Sequence, residues 1–321
     1  MELISEWGVD LDIDEVEELE LEAEEDDFNV ELPEEPKTVL GDLYEIGEHR
    51  LLCGDSTDSD SVAKLMNGEK SELLFTSPPY SDMRDYNGGK DLDVDNIVKF
   101  ILSFYPYCEY QAINLGLQRK NHDINQYWDE YIDTAKNIGY KFLSWNVWAK
   151  TSAGSIGNQS AFFPISHEWI FVFGKDFKEI NLTIERKTKV DKDRTHRKVR
   201  QADGSMKIST VGFQGEKKQM ESVFYSNPEL GVIRSLHPAT FPIELPSEYI
   251  KAMTNQGDII TEPFLGSGTT MAASHQLKRK CYGMELEPKY CDVTINRMLK
   301  LDPDLRIKRN GVDITNEYIV Q

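Results

Sequence analysis

Four short stretches of the chain carry residue types that could do chemistry together. Thr76-Ser77-Pro78-Pro79-Tyr80 closes the apolar run Leu73-Leu74-Phe75. Two consecutive prolines fix φ and remove two backbone donors, so the chain leaves any strand there in a stiff, extended turn. That turn sets a small hydroxyl beside an aromatic ring, which suits a site that grips a flat polar group with acceptors at its edge and a ring against its face. The same five residues also suit a plain strand-ending turn, and the choice rests on what accompanies them.

Pro263-Phe264-Leu265-Gly266-Ser267-Gly268-Thr269-Thr270 lies between a strand pattern, Asp258 to Glu262, and a helix pattern running to Leu277. A Gly-x-Gly turn there lets a ligand approach the backbone and presents free N–H groups at the helix start. The third glycine of the dinucleotide fingerprint is missing, which argues against a nicotinamide enzyme. Glu285 ends the next strand pattern about 20 residues on, where a carboxylate can bind both ribose hydroxyls of a nucleoside. Asp55 follows the apolar run His49 to Cys53 and reads either as a turn former or as a ligand contact.

Positioning these groups takes a parallel sheet. The spacing predicts a strand over His49–Ser56, a helix beginning at Ser61–Met66 and a strand over Ser71–Phe75, and ligands of such sheets sit at the carboxyl ends of the strands. Asp55 and the Thr76–Tyr80 turn both fall there. Ser81 to Leu92, with Gly88-Gly89, reads as a mobile loop over the site, and Asp95–Leu117 and Asn125–Ile138 show helical spacing. Strands are expected over Lys141–Trp148 and Ile165–Phe173. Further on, His237-Pro238-Ala239-Thr240-Phe241-Pro242 leads to a helix from Ser247 to Met253, and Leu286–Leu299 closes the pattern as a helix. The end, 301–321, offers at most a short strand pair.

Composition bounds the rest. The chain has 321 residues, 39% hydrophobic and 10% aromatic, enough for one large α/β core or two ordinary domains. No apolar run approaches a membrane span and no basic, then apolar, leader follows Met1, so a cytoplasmic protein is expected, with no membrane partner. Cys53, Cys108, Cys281 and Cys291 form no metal-ligand pair, and His167-Glu168 has no second ligand pair, so no metal is expected.

The net charge of -20 is unevenly spread. Residues 1–36 hold 17 Asp or Glu and no Lys or Arg, leaving 39 acidic against 36 basic residues over 37–321. Residues 1–36 therefore read as an acidic, disordered linker, with a short helix around Asp14 to Ala23 or, as a second reading, a segment that masks the basic region. That region lies between Lys175 and Lys218, with 13 Lys or Arg against 7 Asp or Glu. A basic excursion of this size reads either as solvated surface or as a recognition element for a polyanion, with Arg194, Arg197, Lys198 and Arg200 at its densest point.

Taken together, Thr76–Tyr80, Pro263–Thr270, Glu285 and His237–Pro246 resemble the amino-methyltransferases of DNA, in the permuted arrangement where the catalytic motif precedes the cofactor motif. The resemblance covers roughly residues 40–300. It implies a Rossmann-like, S-adenosylmethionine-dependent methyltransferase sheet with helices on both faces and a target-recognition insertion. The halves of that domain would be 37–173 (catalytic) and 236–300 (cofactor-binding), flanking an insertion at 174–235 and followed by an extension at 301–321. Phe264, Gly266 and Gly268 would line the cofactor, with Pro263, Ser267, Thr269 and Thr76 beside them. Glu285 would hold its ribose and Asp55 its adenine, while His237, Pro238 and Phe241 would flank its methionine end.

The implied substrate is double-stranded DNA, and the reaction is methyl transfer to the exocyclic amine of a flipped-out base. Tyr80 would stack on that base, Ser77 and the Pro78 carbonyl would accept from the amine, and Pro79 would stiffen the turn. Ser-Pro-Pro-Tyr leans to cytosine N4, with adenine N6 the alternative. A cognate restriction endonuclease, an N-terminal domain fused in relatives and a homodimer are open as partners. A nicotinamide oxidoreductase, or a DNA-binding protein that keeps the fold without catalysis, are the readings from other classes.

Overall fold

A computed structural model describes residues 21–26, 28, 32–79, 97–120, 122–150, 165–185, 196–201, 204–210, 217–226 and 241–318. In chain order these form β1 (Leu43–Ile46), β2 (His49–Cys53), α1 (Ser59–Met66), β3 (Ser71–Thr76), α2 (Lys99–Phe104) and β4 (Cys108–Gly116). Next come β5 (Gln118–Lys120), β6 (Asp123–Asn125), α3 (Trp128–Asn137), β7 (Lys141–Lys150) and β8 (His167–Gly174). The basic region contributes β9 (Ile184–Glu185), β10 (His196–Arg200), β11 (Met206–Thr210), β12 (Lys217–Lys218) and β13 (Val223–Ser226). The chain continues with α4 (Glu244–Met253), β14 (Ile259–Glu262), α5 (Thr269–Gln276), β15 (Lys280–Glu285), α6 (Pro288–Leu301), β16 (Ile307–Arg309) and β17 (Val312–Asp313).

One sheet organises them, in the order β13-β7-β8-β4-β3-β14-β15-β2-β1-β16-β17. Its centre, β4, β3, β14, β15 and β2, is parallel throughout. β8 runs antiparallel between β4 and β7, and β1 and β16 extend the far edge antiparallel to β2 and to each other. Both faces are covered. Along β3, Leu73 and Phe75 face a core shared with Leu245 and Tyr249 of α4, Met271 of α5 and Ile295 of α6. Leu74, between them, faces a second core with Val62 of α1, Phe100 of α2 and Tyr131 of α3. This is the period-2 alternation of a strand buried on both sides, and each such side chain contributes about 1.5–3 kcal/mol of apolar burial. The Rossmann-like α/β sheet with helices on both faces is as expected.

Local chemistry starts the helices around the site. Asp58 caps α1, its carboxylate accepting from the backbone N–H of Ser61 at 3.1 Å, and Glu287 caps α6 with Pro288 at the first helical position.

The structure departs from expectation in several places. The helical spacing over Asp95–Leu117 resolves, in its described part, into α2 and then strand β4. Pro106 stops the helix from continuing, and β4 is buried on both faces, so its apolar residues fit either period. Residues 223–226, expected within the insertion, form a strand of the main sheet, and β16 pairs with β1 to make part of the 301–321 extension a sheet edge. In the acidic segment, Leu21 and Ala23 pack on the core of the α4–α6 face, and Phe28 is buried against Val293. Those residues are placed, whereas Asp14 to Glu20 and the Ser81–Leu92 loop lie outside the described residues.

Candidate functional site

The parallel centre of the sheet brings the ends of β2, β3, β14 and β15 to one edge. From β3 the chain turns to β4, and from β14 it turns to β15 on the other side. The helices that follow, α2 and α5, pack on opposite faces. The crevice between β3 and β14 is therefore the switch point of the sheet, where ligands of such folds bind. Thr76–Pro79 lies on one side of it and Pro263–Thr269 on the other.

A buried carboxylate joins the two sides. Glu262, the last residue of β14, accepts a short hydrogen bond from the Thr76 hydroxyl, one from the Thr270 hydroxyl at 2.9 Å and one from the Phe264 backbone N–H at 3.2 Å. Burial pushes its carboxyl up to about 8, against the pull of those three donors. Thr76 is itself fully buried, so its hydroxyl serves this joint. Ser77, next along, is half-buried at the edge, followed by buried Pro78 and half-buried Pro79. Tyr80 lies outside the described residues.

The glycine turn is held from behind. Leu265 N–H donates to the Met284 carbonyl at 2.8 Å, and Thr294 Oγ1 donates to the Gly266 carbonyl at 3.0 Å. Gly266 and Gly268 have φ of 56° and 86°, the left-handed region that favours glycine. A Cβ on Gly268 would also lie 2.9 Å from Thr294 Cγ2. Gly268 begins α5 without a side-chain cap, which leaves the helix N-terminus free of a protein acceptor of that kind. Pro263, Ser267 and Thr269 are buried, and Phe264 sets its ring edge-on to Phe100 at 5.3 Å.

Glu285 completes this side. Its carboxylate accepts from the Gly266 N–H at 2.8 Å and the Glu287 N–H at 2.9 Å, and burial holds its carboxyl above the usual carboxylate range. Because a carboxylate has about four acceptor positions, it can still take ligand hydroxyls. The Glu285 carbonyl accepts from Gly54 N–H at 2.9 Å, which brings Asp55 to the same edge. Asp55 is exposed, and its Oδ1 accepts from the backbone N–H and hydroxyl of Thr57, each at 2.8 Å. Phe241 packs edge-on against Phe75 at 5.6 Å. A carboxylate pair at the sheet edge beside a glycine turn and an open helix N-terminus fits a nucleoside-bearing cofactor by the chemistry of its donors.

His237, Pro238 and Arg194 lie outside the described residues. Arg197, Lys198 and Arg200 fall on β10, which pairs with β11 as an antiparallel hairpin, and Arg200 is exposed. Glu262, Thr294 and Arg297 hold the site together without having stood out in the sequence, and Thr270 figured there only as the end of the glycine turn. An acid ending an apolar strand directly before Pro-Phe-x-Gly was the available signal for Glu262. Arg297 carried none, because its partners lie at distant points in the chain.

A family model described as DNA methylase, of N6 and N4 methyltransferases, matches residues 72–296. The chain is 28% identical over 239 residues to the orphan methyltransferase M.BamHII of Bacillus amyloliquefaciens, covering 71% of this chain and 88% of that one. It is 26% identical over 281 residues to the type II methyltransferase M.HpaI of Haemophilus parainfluenzae, covering 84% and 78%. Among solved structures, the PvuII cytosine-N4-specific DNA methyltransferase aligns with a TM-score of 0.53 at 16% identity, covering 79% of this chain and 91% of that one. A DNA modification methylase of Thermus thermophilus, complexed with S-adenosyl-L-methionine, aligns with a TM-score of 0.52 at 18% identity, covering 80% and 97%. At these identities the solved structures show the fold.

Proposed function

The chain belongs to the DNA methylase family of N6-adenine and N4-cytosine methyltransferases, whose cofactor is S-adenosyl-L-methionine, and from that premise we propose that it methylates the exocyclic amine of a base flipped out of double-stranded DNA, at cytosine N4. The observation that carries this reading is the junction at the switch point, where Glu262 ties the Ser77-Pro78-Pro79 turn to the glycine turn. Substrate and cofactor elements then share one crevice.

When bound, S-adenosyl-L-methionine supplies an electrophilic sulfonium methyl group. Glu285 would accept its ribose hydroxyls, Asp55 would meet the adenine, and the turn from Pro263 to Thr269 would pass beneath it, with His237, Pro238 and Phe241 at the methionine end. The protein's part in the transfer is placement. An exocyclic amine is a poor nucleophile because its lone pair is delocalised into the ring. Ser77 Oγ and the Pro78 carbonyl would accept from its N–H groups, which favours a more pyramidal nitrogen and turns its lone pair outward. Tyr80 would stack on the ring, and Pro79 keeps the turn stiff. Rate arises from positioning and preorganised acceptors rather than from a covalent intermediate. A base inside a duplex cannot reach such a cleft, so extrusion of the nucleotide is part of the proposal. The exposed Arg200 and its neighbours Arg197 and Lys198 on the β10–β11 hairpin would meet phosphate, with Arg194 beside them.

The test is methyl transfer from tritiated S-adenosyl-L-methionine to DNA, with single-molecule sequencing of the product to identify base and site. Ser77→Ala is expected to lower transfer by about a hundredfold, the scale of losing one preorganised polar contact, and Tyr80→Ala by about tenfold or more, the scale of losing one base–aromatic stack, each with cofactor affinity nearly unchanged. Wild-type rates in either variant would sink the assignment. Label found on adenine N6 would move the target base while leaving the mechanism in place.

A further inference from the structure

The acidic residues before the sheet reach the site through one buried arginine. Residues 21–26 touch all three helices of one face. Glu22 pairs with Lys251 of α4 at 2.7 Å, Glu25 accepts from the Ile243 N–H at 2.6 Å, and Glu24 exchanges hydrogen bonds with the Gln276 side chain of α5. Asp26 then forks onto Arg297 of α6, with Nε and Nη2 donating to its two oxygens at 2.7 Å each. Arg297 is 1% exposed. Its remaining edge faces the glycine turn, with Nη1 donating to the Ser267 carbonyl at 3.1 Å and to Thr269 Oγ1 at 3.0 Å. The ring of Phe28 lies 5.8 Å from the guanidinium.

We propose that Asp26 is a positioning residue for the cofactor turn, acting through Arg297, so that the Asp26–Arg297 ion pair, rather than docking of the strap in general, sets cofactor affinity. This role rests on the reading of Pro263–Thr269 as the cofactor turn. A guanidinium is planar, with its donors in a fixed fork. Two bonds to Asp26 therefore set the direction of the two bonds to the turn. Without the carboxylate, a buried charge loses its counterion, and such a group re-orients toward water rather than stay unpaired. Ser267 and Thr269, which flank the left-handed Gly268, lose their external restraint with it.

The experiment measures cofactor affinity by calorimetry, and KM for the cofactor and kcat by tritium transfer, in the full chain and its variants, well below each melting temperature. Asp26→Asn is expected to raise cofactor Kd and KM by about tenfold, from loss of a charge-assisted fork, with kcat at saturating cofactor within about twofold. Asp26→Glu, which keeps the charge, should recover most of that loss. Phe28→Ala, which loosens the strap and keeps the ion pair, should show a smaller shift in the same direction and stands in if Asp26→Asn does not fold. Glu22→Gln releases the strap only at Lys251 and is expected to leave Kd unchanged. Glu285→Gln tests the cofactor reading itself and should weaken binding. Unchanged Kd in Asp26→Asn, with loss in Glu285→Gln, overturns the proposal and leaves that reading standing. Equal losses in Glu22→Gln and Asp26→Asn overturn it too, because the effect then belongs to docking in general. No loss in Glu285→Gln or Asp26→Asn would overturn both.

Discussion

Glu262 concentrates more of the site's physics than any residue that motif reading singles out. It is 1% exposed and takes three donors from three segments: the end of β3, the start of the glycine turn and the first turn of α5. Burial nonetheless raises its carboxyl to about 8. With a folded value above the unfolded one, near 4.5, the folded state binds the extra proton between those two pH values, and stability falls as pH rises through that window. The slope from this group is at most about 1.4 kcal/mol per pH unit, and it vanishes above about 8, where both states are ionised. Glu262→Gln keeps the shape and resembles the protonated acid, so urea denaturation between about pH 5 and 8 should show a flatter profile for the variant. A variant retaining the full wild-type slope would show that Glu262 is ionised in the folded protein. The place of Ser77 at the end of β3, by contrast, was legible in the sequence because its neighbours define it. Two prolines and an aromatic ring specify a local geometry that needs no distant partner, whereas the role of Glu262 depends on Thr76, 186 residues away.

At the scale of elements, the strand-turn-helix unit β14–α5 is the part most fully written in local sequence. Its left-handed glycines and buried turn lie where the Gly-x-Gly spacing put them. Gly268→Ala meets two obstacles together, a φ of 86° and a Cβ 2.9 Å from Thr294 Cγ2. The expected cost is about 1–3 kcal/mol, read as a lower urea midpoint. Because the strain falls on the turn, cofactor affinity should drop with it, and a variant with wild-type midpoint and affinity would show that the turn adjusts freely. Other elements were less legible for equally local reasons. β4 is buried on both faces, so its apolar residues carry no period-2 signal, and its first residues blurred into the helix before Pro106. The antiparallel direction of β8 leaves no trace in its own residues, because direction is a property of its pairing with β4 and β7. The strap is the extreme case, since Asp26 and Arg297 are 271 residues apart and each reads alone as an ordinary surface charge.

For the whole molecule, the distribution of charge decides how an acidic chain can hold DNA. Most of the net charge of -20 sits in residues 1–36, and two of those acids, Glu22 and Asp26, are committed to Lys251 and Arg297. Their partners belong to the helix face, so these two acids do not act as a mask on the basic region. Between Lys175 and Lys218 stand 13 Lys or Arg against 7 Asp or Glu, with Arg197, Lys198 and Arg200 along β10. If those residues contact the backbone, each contact releases about one condensed counterion, and log affinity falls against log salt with a slope of about -0.9 per phosphate. Arg197→Ala combined with Arg200→Ala should then weaken binding to specific and unrelated DNA alike and make the slope shallower by about 2, measured by fluorescence anisotropy between about 50 and 200 mM salt. Loss confined to the specific site would assign these arginines to base edges instead. An unchanged slope would remove the hairpin from the DNA interface, because no rearrangement elsewhere restores counterion release at charges that are no longer there.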